Sequence, residues 1–198
     1  MDVVKRYGAR RVLCGASFEA RSGELVAILG ENGSGKSTLL RILAGAEDLD
    51  GGQVRRLARL GYCPQEHVLY PYLTIGEHLE LFGYAYGLGA KVARARADEL
   101  LERFALGDRR HQVVEQLSGG TRQKLNLAIA LLHDPEVVLL DEPYAALDIA
   151  SYRAFLAWAD DAKHLGKCIV LVAHLVLESE RFDTVLHLRD GRLHDQSC

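Results

Sequence analysis

Unbroken apolar runs alternate with segments of helical periodicity along most of this chain. The runs that predict buried strands are residues 24–29, 136–140 and 168–172. The segments that predict helices are residues 35–43, 120–132 and 150–164. Apolar strands connected by helices are typical of a parallel sheet that is covered on both faces. The pattern therefore predicts an α/β fold with a mostly parallel core sheet.

The segments outside this alternation predict smaller elements. Short strands are predicted at residues 2–7, 12–20, 53–56 and 60–63. Thr74 and Glu77 have the spacing of a capping box, so a helix should begin there and run toward Tyr86. Residues 91–105 also have helical periodicity. We expect one domain, residues 1–198, with a core of residues 1–64 and 124–198 and an inserted helical subdomain at about 65–123.

Composition excludes several classes of protein. The 198 residues are 48% hydrophobic and 26% charged, as in an ordinary globular protein. The formal net charge of −3 provides no overall electrostatic attraction to nucleic acid. No run approaches the roughly 18 apolar residues of a membrane span. The cysteines are far apart in sequence, so we expect Cys14, Cys63 and Cys168 to be core thiols rather than metal ligands.

A glycine-rich loop lies between the first buried strand and the first helix. Strand, glycine loop, Lys-Ser and helix is the context that a phosphate-binding P-loop requires. Its backbone N–H groups and the positive end of the following helix suit an anion. We expect Lys36 to reach the β- and γ-phosphates and the Ser37 hydroxyl to bind Mg²⁺. The nucleotide-binding candidates here are Gly30, Glu31, Asn32, Gly33, Ser34, Gly35, Lys36, Ser37 and Thr38.

Two acids follow the apolar run at residues 136–140. A strand of a parallel sheet delivers such carboxylates at its C-terminal end, where ligands of open α/β sheets bind. We expect Asp141 to hold Mg²⁺ and Glu142 to orient or deprotonate an attacking water. A P-loop with these two acids predicts a nucleoside triphosphatase.

A second glycine-rich turn precedes the helix at residues 120–132. Ser118 is a suitable N-cap, and Gly119 and Gly120 leave backbone N–H groups open at a helix N-terminus. In isolation an ordinary helix cap is an equally good interpretation. Two anion sites on a chain that binds one nucleotide favour a nucleotide shared between two chains.

Taken in order, the loop, Leu117–Gly120, the strand with Asp-Glu and a later histidine resemble the ATPase subunit of an ABC transporter. The resemblance covers essentially the whole chain and assigns further residues. It implies that Tyr7 stacks on adenine. It also implies that Gln65 lies between the γ-phosphate site and the transmembrane partner, close to the Mg²⁺ ion. It implies that Asp148, in the segment 145–148, crosses a dimer interface and that His174 contacts the γ-phosphate. Alone, Tyr7, Gln65 and His174 are each more typical of structural residues.

The resemblance implies a function as well as a fold. It implies a P-loop NTPase that binds ATP and Mg²⁺, with Glu142, His174 and Gln65 as catalytic residues and Ser37, Asp141 and Gln65 around the metal. It implies a dimer that closes on ATP through Ser118–Gly120 and drives separate transmembrane permease subunits from the cytoplasmic face of the membrane, with no nucleic acid as partner.

Two details sharpen or complicate this interpretation. Residues 69–75 and 81–88 resemble small exporter ATPases of the ABC-2 and haem-exporter types. The sequence ends soon after Asp190–Arg192, so we expect the regulatory domain of many importer ATPases to be missing. Both favour export. Thr121 stands where the family signature usually has Gln, which shortens a side chain near the partner's nucleotide.

Other functional classes fit less well. A soluble ABC ATPase that acts on DNA or ribosomes would carry a coiled-coil insertion or a second cassette. The combination of Ser118–Gly120 with Glu142 disfavours a P-loop kinase or GTPase.

Overall fold

The computed structural model describes residues 2–66, 68–144, 148–176 and 178–195. The strands are β1 (Val3–Tyr7), β2 (Arg10–Ala16), β3 (Leu25–Leu29), β4 (Leu60–Cys63), β5 (Val137–Asp141), β6 (Cys168–Ala173), β7 (Thr184–Arg189) and β8 (Arg192–Asp195). The helices are α1 (Lys36–Ala44), α2 (Ile75–Ala85), α3 (Ala90–Arg103), α4 (Gly119–Leu131) and α5 (Ile149–His164). Short 3₁₀ turns lie at Gly107–Arg109, Val114–Gln116 and Ser179–Arg181.

The central sheet has six strands in the order β4-β5-β6-β3-β7-β8. Every neighbouring pair is parallel except the β7–β8 hairpin. Strands β1 and β2 form a separate antiparallel pair. The predicted α/β fold with a mostly parallel sheet is confirmed. Because β4, β5, β6 and β3 are adjacent and parallel, the four segments that follow them emerge at one edge of the sheet.

Hydrophobic side chains from the sheet divide between its two faces. Within β3, Leu25, Ala27 and Leu29 belong to the cluster that includes α4, α5 and the α2–α3 region. Val26 and Ile28 belong to the second cluster, which α1 and β2 cover. Burial on both faces explains why these strands are continuously apolar instead of alternating.

Most predicted elements are present, with two corrections. The prediction of a strand at residues 53–56 is wrong, because that segment has no regular secondary structure. Arg56 instead donates hydrogen bonds to the carbonyls of Ile42 and Leu43 at 2.5 and 2.6 Å, and so caps the end of α1. Strand β2 also ends at Ala16, short of the expected residue 20.

The helical insertion begins as expected. Thr74 caps α2 in a complete capping box, accepting from the Glu77 amide while its own amide donates to the Glu77 carboxylate. Helices α2 and α3 lie within residues 65–123, although α4 already begins at Gly119. The division into core and subdomain stays a prediction. Within the described parts of the chain, no helix combines the length and apolarity needed to cross a bilayer.

Candidate functional site: a phosphate loop facing paired carboxylates

The phosphate loop, Gly30–Thr38, connects β3 to α1. Gly35 is the N-cap of α1 and has φ 106°, a left-handed conformation that suits glycine. A Cβ there would also lie 2.8 Å from a methyl group of Val12. Gly35 has no side chain that could accept a hydrogen bond from the first-turn amides of α1. The first backbone N–H groups of α1 therefore remain available to an anion.

Lys36 fills the mouth of this loop. Its Nζ donates to the carbonyl oxygens of Gly30 and Glu31 at 2.7 and 3.0 Å, and the residue is buried. Burial lowers the pKa of the Lys36 ammonium, and the charges of Glu142 and Asp141 act in the opposite direction. The cation is thus held at the place where phosphate oxygens would meet the loop.

Asp141 lies at the end of β5 and faces the start of α1. The Ser37 hydroxyl donates to Asp141 Oδ1 at 3.1 Å. Burial raises the pKa of the Asp141 carboxyl, the bond from Ser37 lowers it, and the neighbouring Glu142 raises it further. A buried carboxylate beside a second carboxylate attracts a cation, and hydroxyl and carboxylate oxygens are the donors that Mg²⁺ prefers.

Glu142 is the meeting point of three loops. Gln65 Nε2 donates to Glu142 Oε2 at 3.0 Å, and His174 Nε2 lies 2.9 Å from Glu142 Oε1. Gln65, Glu142 and His174 follow β4, β5 and β6, so the order of the sheet brings them together. Glu142 itself has φ 48°, and its amide donates to the Val172 carbonyl at 3.0 Å. The structure thus unites the three predicted catalytic residues on one carboxylate.

Tyr7 lies at the end of β1 with 48% of its surface exposed. Its hydroxyl donates to the Glu47 carboxylate, and Arg41 Nη2 donates to the Tyr7 oxygen at 3.4 Å. Lys5 Nζ lies 5.5 Å from the ring centroid. These contacts hold the ring at its polar tip and leave much of the side chain accessible, as a base-stacking platform requires.

The signature turn, Ser118–Gly120, and Asp148 form their hydrogen bonds locally. Ser118 caps α4 by accepting from the Thr121 amide at 3.3 Å, which confirms the predicted cap. Asp148 caps α5 by accepting from the Ser151 amide at 2.8 Å. Among the described residues, neither shares a hydrogen bond or ion pair with the cluster around Glu142. The segment 145–147, expected beside a dimer interface, lies outside the described residues.

Comparison with known proteins identifies the family. A family model described as ABC transporter matches residues 13–145. An ABC transporter ATP-binding protein of Methanocaldococcus jannaschii is 33% identical over 96% of this chain and 73% of its own length. The linearmycin resistance ATP-binding protein of Bacillus subtilis is 32% identical over 90% of this chain and 61% of its own length. This chain belongs to the ABC transporter ATP-binding family.

Solved structures agree with the family assignment. A structure described as a dimeric bacterial ABC transporter cassette has a TM-score of 0.88 at 28% identity, covering 98% of this chain and 94% of its own. A structure of an ATP-binding cassette bound to ADP and phosphate after hydrolysis has a TM-score of 0.88 at 26% identity, covering 98% and 94%. The resemblance found in the sequence motifs is therefore confirmed over the whole fold.

The residues of this ABC ATP-binding domain fit a divalent cation held jointly with a nucleotide. Within the described ranges, no group of three His, Cys, Asp or Glu side chains could hold a metal alone. Ser37 and Asp141 supply two hard oxygen donors. Gln65 contacts Glu142 through its Nε2, so its amide oxygen can serve as a third donor. Mg²⁺ usually keeps waters and phosphate oxygens as its other ligands, so this donor set fits.

Two structural partners of the ABC site were not predicted from the sequence. Asn126, buried on α4, donates to the Pro64 carbonyl at 2.9 Å and to Cys63 Sγ at 3.3 Å, and so holds the segment just before Gln65. Tyr144 contacts the segment just after His174. Each contact joins residues far apart in sequence, so no local pattern reveals it.

Proposed function

We propose that this chain hydrolyses ATP with Mg²⁺ and that ATP-driven dimerisation drives separate transmembrane subunits, most consistently for export. The observation that carries the proposal is the convergence of Gln65 and His174 on Glu142, beside the Lys36 and Ser37 of the phosphate loop. The same arrangement supports an ATPase of the ABC type better than a kinase or GTPase, because side chains from two further loops hold the Glu142 carboxylate.

Each side chain has a role in this proposal. Lys36 and the α1 amides bind the phosphates, and Tyr7 supports the base. Glu142 orients the attacking water and accepts its proton, while Gln65 and His174 hold the Glu142 carboxylate in position. Mg²⁺, held by Ser37 and Asp141, would neutralise charge that develops on the phosphate oxygens.

The names of relatives support transport and export. Those of Ralstonia nicotianae and Streptomyces coeruleorubidus are named as Nod factor export and daunorubicin resistance ATP-binding proteins. The chain spans 63% and 49% of their lengths. A soluble ABC ATPase acting on DNA or ribosomes remains the alternative, and these names do not favour it.

Replacing Glu142 with Gln tests hydrolysis and dimerisation together. Turnover should fall about 10²- to 10⁴-fold because the base is lost, while ATP binding persists. ATP bound between Lys36 of one chain and Ser118 of another should then hold a dimer, since nucleotide and partner binding are linked. Phosphate release and light scattering with and without ATP measure the two effects.

Either of two results would contradict this proposal. Turnover within threefold of the parent chain would remove Glu142 from its role. A molecular mass that ATP does not change would remove the shared nucleotide.

The surface for the transmembrane subunit is proposed at the loop around Pro71. Tyr70 and Tyr72 are 52% and 78% exposed, and the Tyr70 amide donates to Nε2 of buried His78 at 2.9 Å. Exposed aromatic side chains on a fixed backbone suit the centre of an interface. By contrast, Phe82 packs on the core and Tyr86 stacks on His133 at 4.1 Å.

Replacing Tyr70 and Tyr72 with Ser should reduce co-purification of a co-expressed permease while basal ATP hydrolysis survives. Leu165→Ser is the matched control, because Leu165 is an exposed apolar residue at the end of α5. Equal permease recovery for both variants, or unfolding of the double variant, would reject this loop as the docking surface.

A further inference from the structure

Tyr144 connects the loop of Glu142 to the loop of His174. It lies two residues after Glu142, and its hydroxyl donates to the backbone carbonyl of Leu175 at 3.0 Å. Leu175 directly follows His174. The ring that carries this hydroxyl belongs to neither the phosphate site nor the set of residues expected to touch nucleotide.

The Tyr144 ring is anchored in an aromatic cluster on α5. Tyr152 stands edge-on to it, with ring centroids 5.2 Å apart at 83°, and Phe155 lies 6.0 Å away. Phe155 is fully buried. Burial raises the pKa of the Tyr144 phenol, so the hydroxyl stays protonated and remains a donor. Packing of the ring therefore positions the Tyr144 hydroxyl independently of its bond to Leu175.

The His174 side chain depends on its backbone for its position. It is 43% exposed, and Glu142 is its only hydrogen-bonding or ionic partner among the described residues. Behind it, the Glu142 amide donates to Val172 at 3.0 Å. Ahead of it, the Tyr144–Leu175 bond is the corresponding attachment. The contact between His174 and Glu142 thus lies between two backbone attachments of the same pair of loops.

We propose that Tyr144 is a positioning residue that keeps the His174 imidazole on the Glu142 carboxylate. This inference rests on the proposed ATPase function. Without the Tyr144 hydroxyl, the segment after His174 loses its outer attachment and the imidazole spends less time 2.9 Å from Glu142. Hydrolysis slows, whereas nucleotide binding by the phosphate loop does not change.

Tyr144→Phe is the sharpest test, because it removes one hydroxyl and retains the ring packing on α5. Losing one net hydrogen bond should lower kcat about three- to tenfold, with KM and the ATP dissociation constant unchanged. Tyr152→Phe is the matched control, since it removes a hydroxyl from the neighbouring ring and leaves the bond to Leu175 intact; its kcat should stay within twofold.

A double-mutant cycle separates positioning from general destabilisation. In a His174→Ala background, Tyr144→Phe should change single-turnover hydrolysis by less than twofold, because there is no imidazole left to position. An undiminished loss in that background would overturn the proposal. So would wild-type kcat in Tyr144→Phe, or an equal loss in Tyr152→Phe.

The same experiment distinguishes failure of this inference from failure of the proposed function. A wild-type chain that releases no phosphate from Mg-ATP contradicts the ATPase proposal. A wild-type chain that hydrolyses ATP at the same rate as Tyr144→Phe contradicts the role of Tyr144 alone. The thermal unfolding midpoint of each variant establishes that the folded chain is being compared.

Discussion

The phosphate loop and the signature turn both lie at glycine-rich helix N-termini, but the two helices are capped differently. Gly35 caps α1 without a side-chain hydrogen bond, so the amides of the first turn have no acceptor from a cap. Ser118 caps α4 and already accepts from the Thr121 amide. The first terminus is prepared for an anion within its own chain, whereas the second is locally satisfied and exposes Ser118 and Gly119.

The side chains around the two helix termini also differ, with charged groups at the phosphate loop and paired hydroxyls at the signature turn. The phosphate loop has a buried ammonium, Lys36, and two carboxylates close by, Asp141 and Glu142. Around the signature turn, Ser118 and Thr121 pair their hydroxyls at 2.8 Å. Thr121, which replaces the usual Gln, is buried in its own turn and supports the Ser118 cap. Both termini therefore fit the proposed arrangement, in which one chain supplies the phosphate loop and a second chain supplies the signature turn.

The largest expected effect is on the phosphate loop. Lys36→Ala removes the buried cation and should weaken ATP binding by the single chain roughly 10- to 100-fold, as expected for hydrogen bonds to a charged group. Titration with a fluorescent ATP analogue measures this. Lys124→Ala, which removes a cation from α4, should leave the affinity within twofold. If Lys124→Ala weakened binding as much, the two helix termini would not differ as described.

A smaller effect is expected at the signature turn. Ser118→Asp retains a good helix cap but places a negative charge where the partner chain's phosphates would lie. In the Glu142→Gln background, ATP-dependent dimerisation should weaken about tenfold while ATP binding by the single chain is preserved. Light scattering over a concentration series gives the dimer constant. Dimerisation as strong as in the parent would show that this turn does not face phosphate.

The smallest effect concerns how the two helices end. Arg56 holds the last carbonyls of α1, and a guanidinium keeps its charge at all relevant pH values. His133, after α4, lies 3.1 Å from the Leu60 carbonyl, and burial lowers its pKa from 6.5. The unfolded chain therefore gains a proton near pH 6.5 that the folded chain does not, so stability falls as pH decreases below that value.

Urea unfolding at pH 7.5 and pH 5.5 measures this dependence. His133→Gln, which retains a donor for Leu60, should flatten the slope over that interval. An unchanged slope would assign the pH dependence to other groups. The carboxylates with lowered pKa, such as Asp134 and Asp183, lose their stabilising effect only at lower pH, below their unfolded values near 3.8.

The sequence predicts the parts of this molecule that rest on local chemistry. Continuous apolar runs suffice for β3, β5 and β6, and the spacing of Thr74 and Glu77 suffices for a helix start. The order of the strands was not predicted; in the structure β4, β5 and β6 are neighbours, and this order brings Gln65, Glu142 and His174 together. The roles of these residues rest on the family resemblance, because a lone histidine after a strand has no distinctive local pattern.

Contacts between distant segments could not be predicted in this way. Arg56 lies in a stretch that suggested a strand, but its guanidinium is used on the end of α1. Asn126 and Tyr144 meet backbone carbonyls 62 and 31 residues away. The β7–β8 hairpin also escaped prediction, although Asp190 and Gly191, with φ 49° and 71°, form its two-residue turn.

The positive φ of Glu142 has a consequence for how this position can evolve. A glutamate in the left-handed region costs about 1 kcal/mol or more relative to glycine, so the local backbone favours Gly or Asn there. With the role that we propose for Glu142, a population selected only for folding would drift away from Glu at this site, whereas one selected for turnover would keep it. Position 142 would then be one where selection for folding and selection for turnover oppose each other, and the bond from its amide to the Val172 carbonyl helps to hold the left-handed conformation.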